Sequence, residues 1–344
     1  MISFENDYSE GTSKEILDEL IKENYTQVVG YGLDKYSKKA ITILKKEIGN
    51  NNVDIHFIPG GTPCNILAAS LLKDYEGIIC ASTGHINVHE TGAIENTGHK
   101  CLSIDTLDGK LTPKLIKEVY DKHTDEHMVK PAMVFISNTT ELGTVYKKKE
   151  IKEIADICKK LKLYLYLDGA RIGSALTSKS NDLTLKDICN YTDMFYIGGT
   201  KNGALLGEAM IIKNNDLKKD FRYLLKNKGF MLAKNRTIGI SFYKLFENGL
   251  YYKNAKHANN MVNKLINCFN STKTKYVVKP ESNQIFIIVN NDILKKLSKK
   301  YLFSIWNKVD NNHTAIRLVT SWATKEENVD EFIKDYKKYL LIVY

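Results

Sequence analysis

The sequence predicts an α/β protein: a mainly parallel sheet between helices, completed by a smaller C-terminal α+β domain. Three observations carry this prediction. Between residues 54 and 197, short apolar runs alternate with amphipathic stretches, as strands buried on both faces do when crossover helices join them. Beyond residue 276 the pattern changes to short strands interleaved with helices. At 344 residues and 43% hydrophobic content, the chain can bury a large core and has the length of one large and one smaller domain. We expect the division at 1–250 and 251–344. No repeat or low-complexity linker separates the parts, so they should pack tightly.

In order, residues 1–12 are polar and irregular, and Ser13 is placed to cap a helix over 14–24 with Glu15 in its first turn. After the Gly30-Tyr31-Gly32 turn, Ala40, Ile41, Leu44 and Ile48 share one face of a helix over 35–48. A strand over 54–58 runs into the turn GGTPCN, which opens a helix reaching about residue 72. Strands follow over 77–80, 102–104, 131–137, 164–168 and 194–197, with helices over 111–123 and 149–161. A long helical stretch over 216–269 breaks near Gly229 and Gly249. Strands over 276–278, 284–289, 303–306 and 315–319, with helices over 292–300 and 328–339, complete the chain.

Composition narrows the function. The formal charge is +10, but the basic residues are spread as Lys-Lys pairs mixed with acids. They read as solvated helix faces, not as a nucleic-acid surface. Six cysteines, Cys64, Cys80, Cys101, Cys158, Cys189 and Cys268, form no CxxC pair, which suggests reduced thiols in a cytoplasmic protein. No basic-then-apolar leader and no apolar run near the ~20 residues of a bilayer span is present, so we expect no membrane association.

The chemistry concentrates in MFYIGGTKNGALLGEA, residues 194–209, with Lys201 at its centre. A lysine held among glycines at the end of a buried strand can be desolvated enough to act as a neutral amine and form a Schiff base. Alone, the segment reads as a surface loop carrying a charge; its neighbours change that. Asp168 ends the run YLYLD and precedes Gly169, Ala170 and Arg171. A carboxylate and a guanidinium thus emerge at the carboxyl end of a parallel strand, where ligands of open α/β sheets bind, although a lone Asp there would be a helix N-cap. An amine beside an anion that can hold a proton on a pyridine nitrogen is the pair that pyridoxal phosphate requires. The turn Pro59-Gly60-Gly61-Thr62 lies between a strand and a helix, so its amides and the Thr62 hydroxyl can face a phosphate.

His85 and His89, in TGHINVHE after the run GIICA, add imidazoles that can stack on a flat ring or work as acid or base. Their i, i+4 spacing beside Glu90 also suits a metal, but no third ligand cluster and no HExxH accompanies them, and we expect no metal. His89 and Glu90 equally suit structural hydrogen bonding. Arg317, alternating with apolar residues in TAIRLVTSW, needs a counter-charge, either a substrate carboxylate or an internal salt bridge.

With these motifs in order, the chain resembles the threonine aldolase family, also called the aromatic amino acid beta-eliminating lyase/threonine aldolase family, of fold-type-I pyridoxal-phosphate enzymes. The likeness spans nearly the full length through FENDYSEG, YG at Tyr31 and Gly32, PGGTPCN, GHINVHE, TTELGTVY, LYLDGARIGSAL, GGTKNGA and IRLVTSW. Each motif is weak; together and in this order they are specific. GGTKNGALLGEAM and TTELGTVY are closer to the branch containing phenylserine-type aldolases than to the branch whose lysine sits in a Ser-Lys-Gly-Leu motif.

The resemblance implies an aspartate aminotransferase-like fold with a seven-stranded sheet. It implies Lys201 as the lysine that binds pyridoxal 5'-phosphate, Asp168 on the pyridine nitrogen, Gly61 and Thr62 on the phosphate, and His85 on the ring. Arg171 and Arg317 would grip the amino-acid carboxylate, with His89 a further substrate-side candidate. Tyr31 and the stretch 226–236, with Lys228 or Lys234 near the phosphate, would reach a neighbouring subunit's site in a homo-oligomer, a dimer or dimer of dimers. Where the family commonly has Ser-Asp-Thr, this chain has Asn6-Asp7-Tyr8, leaving Ser9 as the candidate N-terminal substrate contact. The implied reaction is retro-aldol cleavage of L-threonine, L-allo-threonine or a phenylserine-like β-hydroxy-α-amino acid to glycine and an aldehyde, with His85, His89 or an ordered water as base. The same Lys, Asp and Arg set also supports a β-eliminating lyase or an aminotransferase. A non-catalytic basic binding protein is the alternative of another class.

Overall fold

The computed structural model describes residues 1–343. Its strands are β1 (Ile2–Ser3), β2 (Asp54–Ile58), β3 (Glu76–Ala81), β4 (Lys100–Ile104), β5 (Lys130–Ser137), β6 (Tyr164–Asp168), β7 (Met194–Gly198), β8 (Glu208–Ile212), β9 (Lys275–Tyr276), β10 (Gln284–Asn290), β11 (Tyr301–Leu302), β12 (Ser304–Lys308) and β13 (His313–Val319). Seven of them form the central sheet, in the order β2-β8-β7-β6-β5-β3-β4. β4, β3, β5, β6 and β7 pair in parallel, while β8 runs antiparallel to both β7 and β2.

The period-two alternation of a strand sends successive side chains to opposite faces. Phe195 and Ile197 of β7 join one core cluster with Val134, Ile136, Leu165 and Leu167. Met194 and Tyr196 join the other with Met133, Phe135 and Tyr166. Both faces are therefore apolar, which is why these strands read as continuous hydrophobic runs. The carboxyl ends of β5, β6 and β7 then meet at one edge of the sheet.

Helices over Lys35–Ile48 and Lys148–Leu161 agree with expectation, and the Asp34 carboxylate caps the first by accepting the amides of Tyr36 and Ser37. Ser13 precedes the helix Lys14–Lys22, but its hydroxyl does not cap it. Instead the Ser13 amide donates to Gly203 O at 3.0 Å and its Oγ accepts the Asn254 amide at 3.1 Å, tying the helix start to the lysine loop. Gly203 has φ +94°, and a Cβ there would lie 2.5 Å from Ser13 Oγ, so this close approach needs glycine.

The stretch over 216–269 resolves into helices Phe221–Asn227, Arg236–Glu247 and Leu250–Ser271. Beyond it, the antiparallel sheet β12-β13-β10-β9 packs against the helices Leu250–Ser271 and Glu326–Val343. The chain's beginning joins this part: β1 pairs in parallel with β11, and Phe4 packs against Tyr301 and Phe332. Residues 5–8 are thereby led across to the edge where Asp168 emerges. β8 and the short helices His85–Val88, Ile172–Leu176 and Leu185–Tyr191 went unread in the sequence. β8 is five buried residues, EAMII, beginning on a glutamate after a glycine-rich run, with neither alternation nor length to separate it from the loop.

Candidate active site

At the carboxyl ends of β5, β6 and β7 lies a cavity of about 320 Å³, lined among others by Gly61, Thr62, His85, Asp168, Arg171 and Lys201. Lys201 sits on a single helical turn, Thr200–Asn202, directly after β7. Burial, and next the charge of Arg171, lower its pKa below the ordinary 10.5, against the opposing pull of Asp7, Asp168 and Glu208. It is thus shifted toward the neutral amine that nucleophilic chemistry needs.

Asp168 faces the same cavity from the end of β6, and neighbouring strands fix its carboxylate. Oδ1 accepts the Tyr196 hydroxyl at 2.5 Å and the Ala170 amide at 2.9 Å, and Oδ2 accepts Asn65 Nδ2 at 3.4 Å. Asn65 also donates to Glu90 Oε1 at 2.6 Å and accepts the Tyr166 hydroxyl. Glu90 Oε1 in turn lies 2.8 Å from His85 Nδ1. One hydrogen-bonded chain thus runs from the His85 ring through Glu90 and Asn65 to Asp168, holding the imidazole relative to the carboxylate. The His85 backbone amide is held by Glu141 Oε1, at 2.9 Å. Burial raises the Glu141 pKa.

Opposite, the helix Gly61–Ala69 opens at the cavity, bringing Gly60, Gly61 and Thr62 to its wall. This helix start offers amides to an anion. The Thr139 hydroxyl, on a residue that also lines the cavity, is buried without a hydrogen-bond partner. A shifted lysine amine, a fixed carboxylate, an anion-accepting helix start and an unpartnered hydroxyl on one cavity fit a phosphorylated pyridine aldehyde.

The guanidinium groups differ sharply. Arg171 is engaged by Asp7, through Nε to Oδ2 at 2.7 Å and Nη2 to Oδ1 at 3.0 Å, and Asn283 adds a third hydrogen bond to Asp7 at 2.9 Å. Arg317 has no carboxylate partner among the described residues. Its Nη2 donates to Ser304 Oγ and to the Glu5 carbonyl, while Nε is buried and unpartnered. Burial, then the nearby Arg171, lower the Arg317 pKa. His89, with its ring centroid 5.5 Å from that of His85, also has a lowered pKa, first from burial and then from His85, Arg317 and Lys201.

Neither Arg317 nor His89 is among the residues that line the cavity, and the remaining sequence candidates also lie outside it. Ser9 turns away, its hydroxyl bonded to Asn6 Oδ1, and Tyr8 lines the cavity instead, with its ring centroid 5.9 Å from Lys201 Nζ. Tyr31 is exposed beneath Lys226 Nζ; Lys228 follows the helix Phe221–Asn227, and Lys234 lines a separate cleft with Tyr25 and Gly30. Asp7, Tyr8, Asn65, Glu141, Tyr196 and Glu208 were missed as site residues. Each lies inside a quoted motif, FENDYSEG, PGGTPCN, TTELGTVY or MFYIGGTKNGALLGEA, but within it nothing in the spacing marks that residue as a site residue. Among the described residues, no three His, Cys, Asp or Glu side chains group to hold a metal ion, and no helix is long and apolar enough to cross a membrane.

Residues 29–292 match the family model described as beta-eliminating lyase. The chain belongs to the beta-eliminating lyase family. Within that family it is 32% identical, over 97% of its length and 96% of the relative's, to the low specificity L-threonine aldolase of Pseudomonas sp. strain NCIMB 10558. Its structure is similar to that of Leishmania major threonine aldolase, with a TM-score of 0.97, 41% identity, and coverage of 98% of this chain and 99% of that one. A Thermus thermophilus aspartate aminotransferase double mutant, 12% identical with a TM-score of 0.73 over 98% of this chain and 91% of its own, shares the fold. This beta-eliminating lyase family member is a lyase with the aspartate aminotransferase-like fold.

Proposed function

We propose that the chain is a pyridoxal-phosphate-dependent aldolase that cleaves L-threonine, L-allo-threonine or a related β-hydroxy-α-amino acid to glycine and an aldehyde. The observation that carries this reading is the pairing of Lys201, shifted toward its neutral form, with Asp168 across one cavity. The bound group would supply an electron sink for the pair left when the Cα–Cβ bond breaks. Lys201 would hold it covalently, Asp168 would keep its ring nitrogen protonated, Gly61 and Thr62 would take the phosphate, and His85 would cover the ring.

Arg317, with an unpartnered Nε, would grip the substrate carboxylate, and Arg171 would add Nη1, the nitrogen that Asp7 leaves free. That grip turns the Cα–Cβ bond toward the reactive geometry. The β-hydroxyl proton would pass to His85 or His89; the lowered pKa of His89 leaves it a neutral acceptor at pH 7.

Tyr31, Lys228 and Lys234 would serve the neighbouring subunit's site. Supporting this, Tyr25 is 95% and Tyr31 43% exposed in a segment that also exposes Val29 and Leu33, an apolar surface that a second copy would cover. The six free cysteines fit a reducing compartment such as the cytoplasm.

The test is borohydride reduction of the yellow holoenzyme followed by peptide mapping. The adduct should fall on Lys201, and Lys201→Ala should lose it while keeping its circular dichroism. An adduct on another lysine would overturn the assignment.

A further inference from the structure

Glu208 has no part in the chemistry above, yet it occupies the junction of the two elements that matter most. In the central sheet it lies in register with Ile58 on one side and Gly198 on the other. Ile58 leads into the turn at residues 59–61, and Gly198 begins the loop that carries Lys201. The side chain is buried and lines the cavity. Oε2 accepts the Gly199 amide at 2.7 Å and Oε1 accepts the Thr200 hydroxyl at 2.8 Å, while Thr200 Oγ accepts the Gly207 amide at 2.9 Å.

No Lys, Arg or His forms a salt bridge with Glu208 among the described residues. The titratable groups around it are Lys201, Asp168, Tyr166, Tyr196, Cys64 and Tyr251, and of these Lys201 alone can carry positive charge. A buried carboxylate so placed depends on the Lys201 ammonium for compensation. A phosphate dianion arriving at the adjoining turn adds a second anion that the single Lys201 charge does not also offset.

Hydroxyl bookkeeping then gives the consequence. Thr200 has one proton to donate, and it goes to Glu208 Oε1. We propose that Glu208 is the proton-holding group of this site: cofactor phosphate at residues 59–62 drives one proton from solvent onto Oε1, which then donates to Thr200 Oγ. This reversal frees the Thr200 hydroxyl to donate to the phosphate. The inference rests on the pyridoxal-phosphate reading above. Burial already raises the Glu208 pKa, with the Gly199 and Thr200 hydrogen bonds and the Lys201 charge opposing, and a second anion raises it further. An acid whose pKa rises on binding takes up a proton, so cofactor affinity falls as pH rises between its free and bound pKa values.

The test is calorimetry of full-length chain stripped of cofactor with 4′-deoxypyridoxine 5′-phosphate, a ligand without the aldehyde, so that proton release at Lys201 does not contribute. Two buffers of different ionisation enthalpy are used, at a pH where the ligand phosphate is already a dianion. The wild type should take up as much as about one proton per site, and its affinity should fall by as much as about tenfold per pH unit. Glu208→Gln, which keeps the shape without the titrating proton, should show neither. In the holoenzyme, the infrared difference between wild type and Glu208→Gln should contain the carbonyl stretch of a protonated carboxylic acid. Equal proton uptake in Glu208→Gln overturns the proposal. So does binding to wild type with no uptake, a result that does not need the variant to fold. Failure of the wild type to bind the ligand overturns the functional reading itself, so the two failures are distinct.

Discussion

Replacing Asp7 with Asn removes one negative charge and changes almost no volume, so it isolates the interaction that holds Arg171. Asp7 is 1% exposed in its side chain and Arg171 13%, and the carboxylate accepts three hydrogen bonds, two from the guanidinium and one from Asn283. Asparagine offers one acceptor oxygen and turns an N–H2 toward these donors. Leaving a buried ion without its partner costs about 3–5 kcal/mol; the residual exposure of Arg171 places Asp7→Asn near the lower end, about 3 kcal/mol. Guanidinium chloride unfolding of the cofactor-free chain measures it as a shift in midpoint at unchanged slope.

The pH dependence supplies a second readout. Burial alone would raise the pKa of Asp7, but the charges of Arg171 and Lys201, with the hydrogen bonds, hold it below the ordinary 3.8. A group with a depressed folded pKa contributes stability above its unfolded value and loses it as pH falls through the folded one. The gap between wild type and Asp7→Asn should thus be full near pH 7 and should narrow as pH falls below about 4. A variant within about 1 kcal/mol of wild type at pH 7, or a gap independent of pH, would refute the reasoning.

Arg317→Ala should raise KM for a β-hydroxy-α-amino acid by roughly 10- to 100-fold, the worth of a charge-assisted hydrogen bond of about 1.5–3 kcal/mol, with a smaller effect on kcat; steady-state aldehyde release reads both. Gly169→Ala should abolish soluble folded protein, because a Cβ there would run into the Tyr196 carbonyl oxygen of the neighbouring strand, and a yield and melting temperature close to wild type would contradict that packing.

What was legible in the sequence follows from local chemistry. The apolar runs of β5, β6 and β7 announce strands buried on both faces, and a charged residue at the end of each of two adjacent strands places Asp168 and Lys201 at one sheet edge. Those strands are indeed neighbours, with Leu167 opposite Phe195. The turn at residues 59–62 was legible as a break between a strand and a helix, although a glycine turn alone often serves only chain reversal.

The partners were not legible, because a single sequence carries no signal for contacts between distant residues. Asp7 meets Arg171 across 164 positions, and Tyr196 meets Asp168 because two strands lie side by side. Arg171, expected on a substrate carboxylate, meets an internal one in Asp7. Tyr8 rather than Ser9 lines the cavity because the irregular arm, anchored by β1 and Phe4, sets an orientation that no periodicity encodes. Glu208 was hidden with β8, whose five residues follow the glycine-rich loop without a break.

The central claim is that this site breaks the Cα–Cβ bond of a β-hydroxy amino acid, and product analysis on the holoenzyme tests it most directly. With L-threonine, acetaldehyde and glycine should appear in equal amounts, with no pyruvate or ammonia from L-serine. Pyruvate and ammonia from serine, with no aldehyde from threonine, would contradict the account and assign the same residues to elimination.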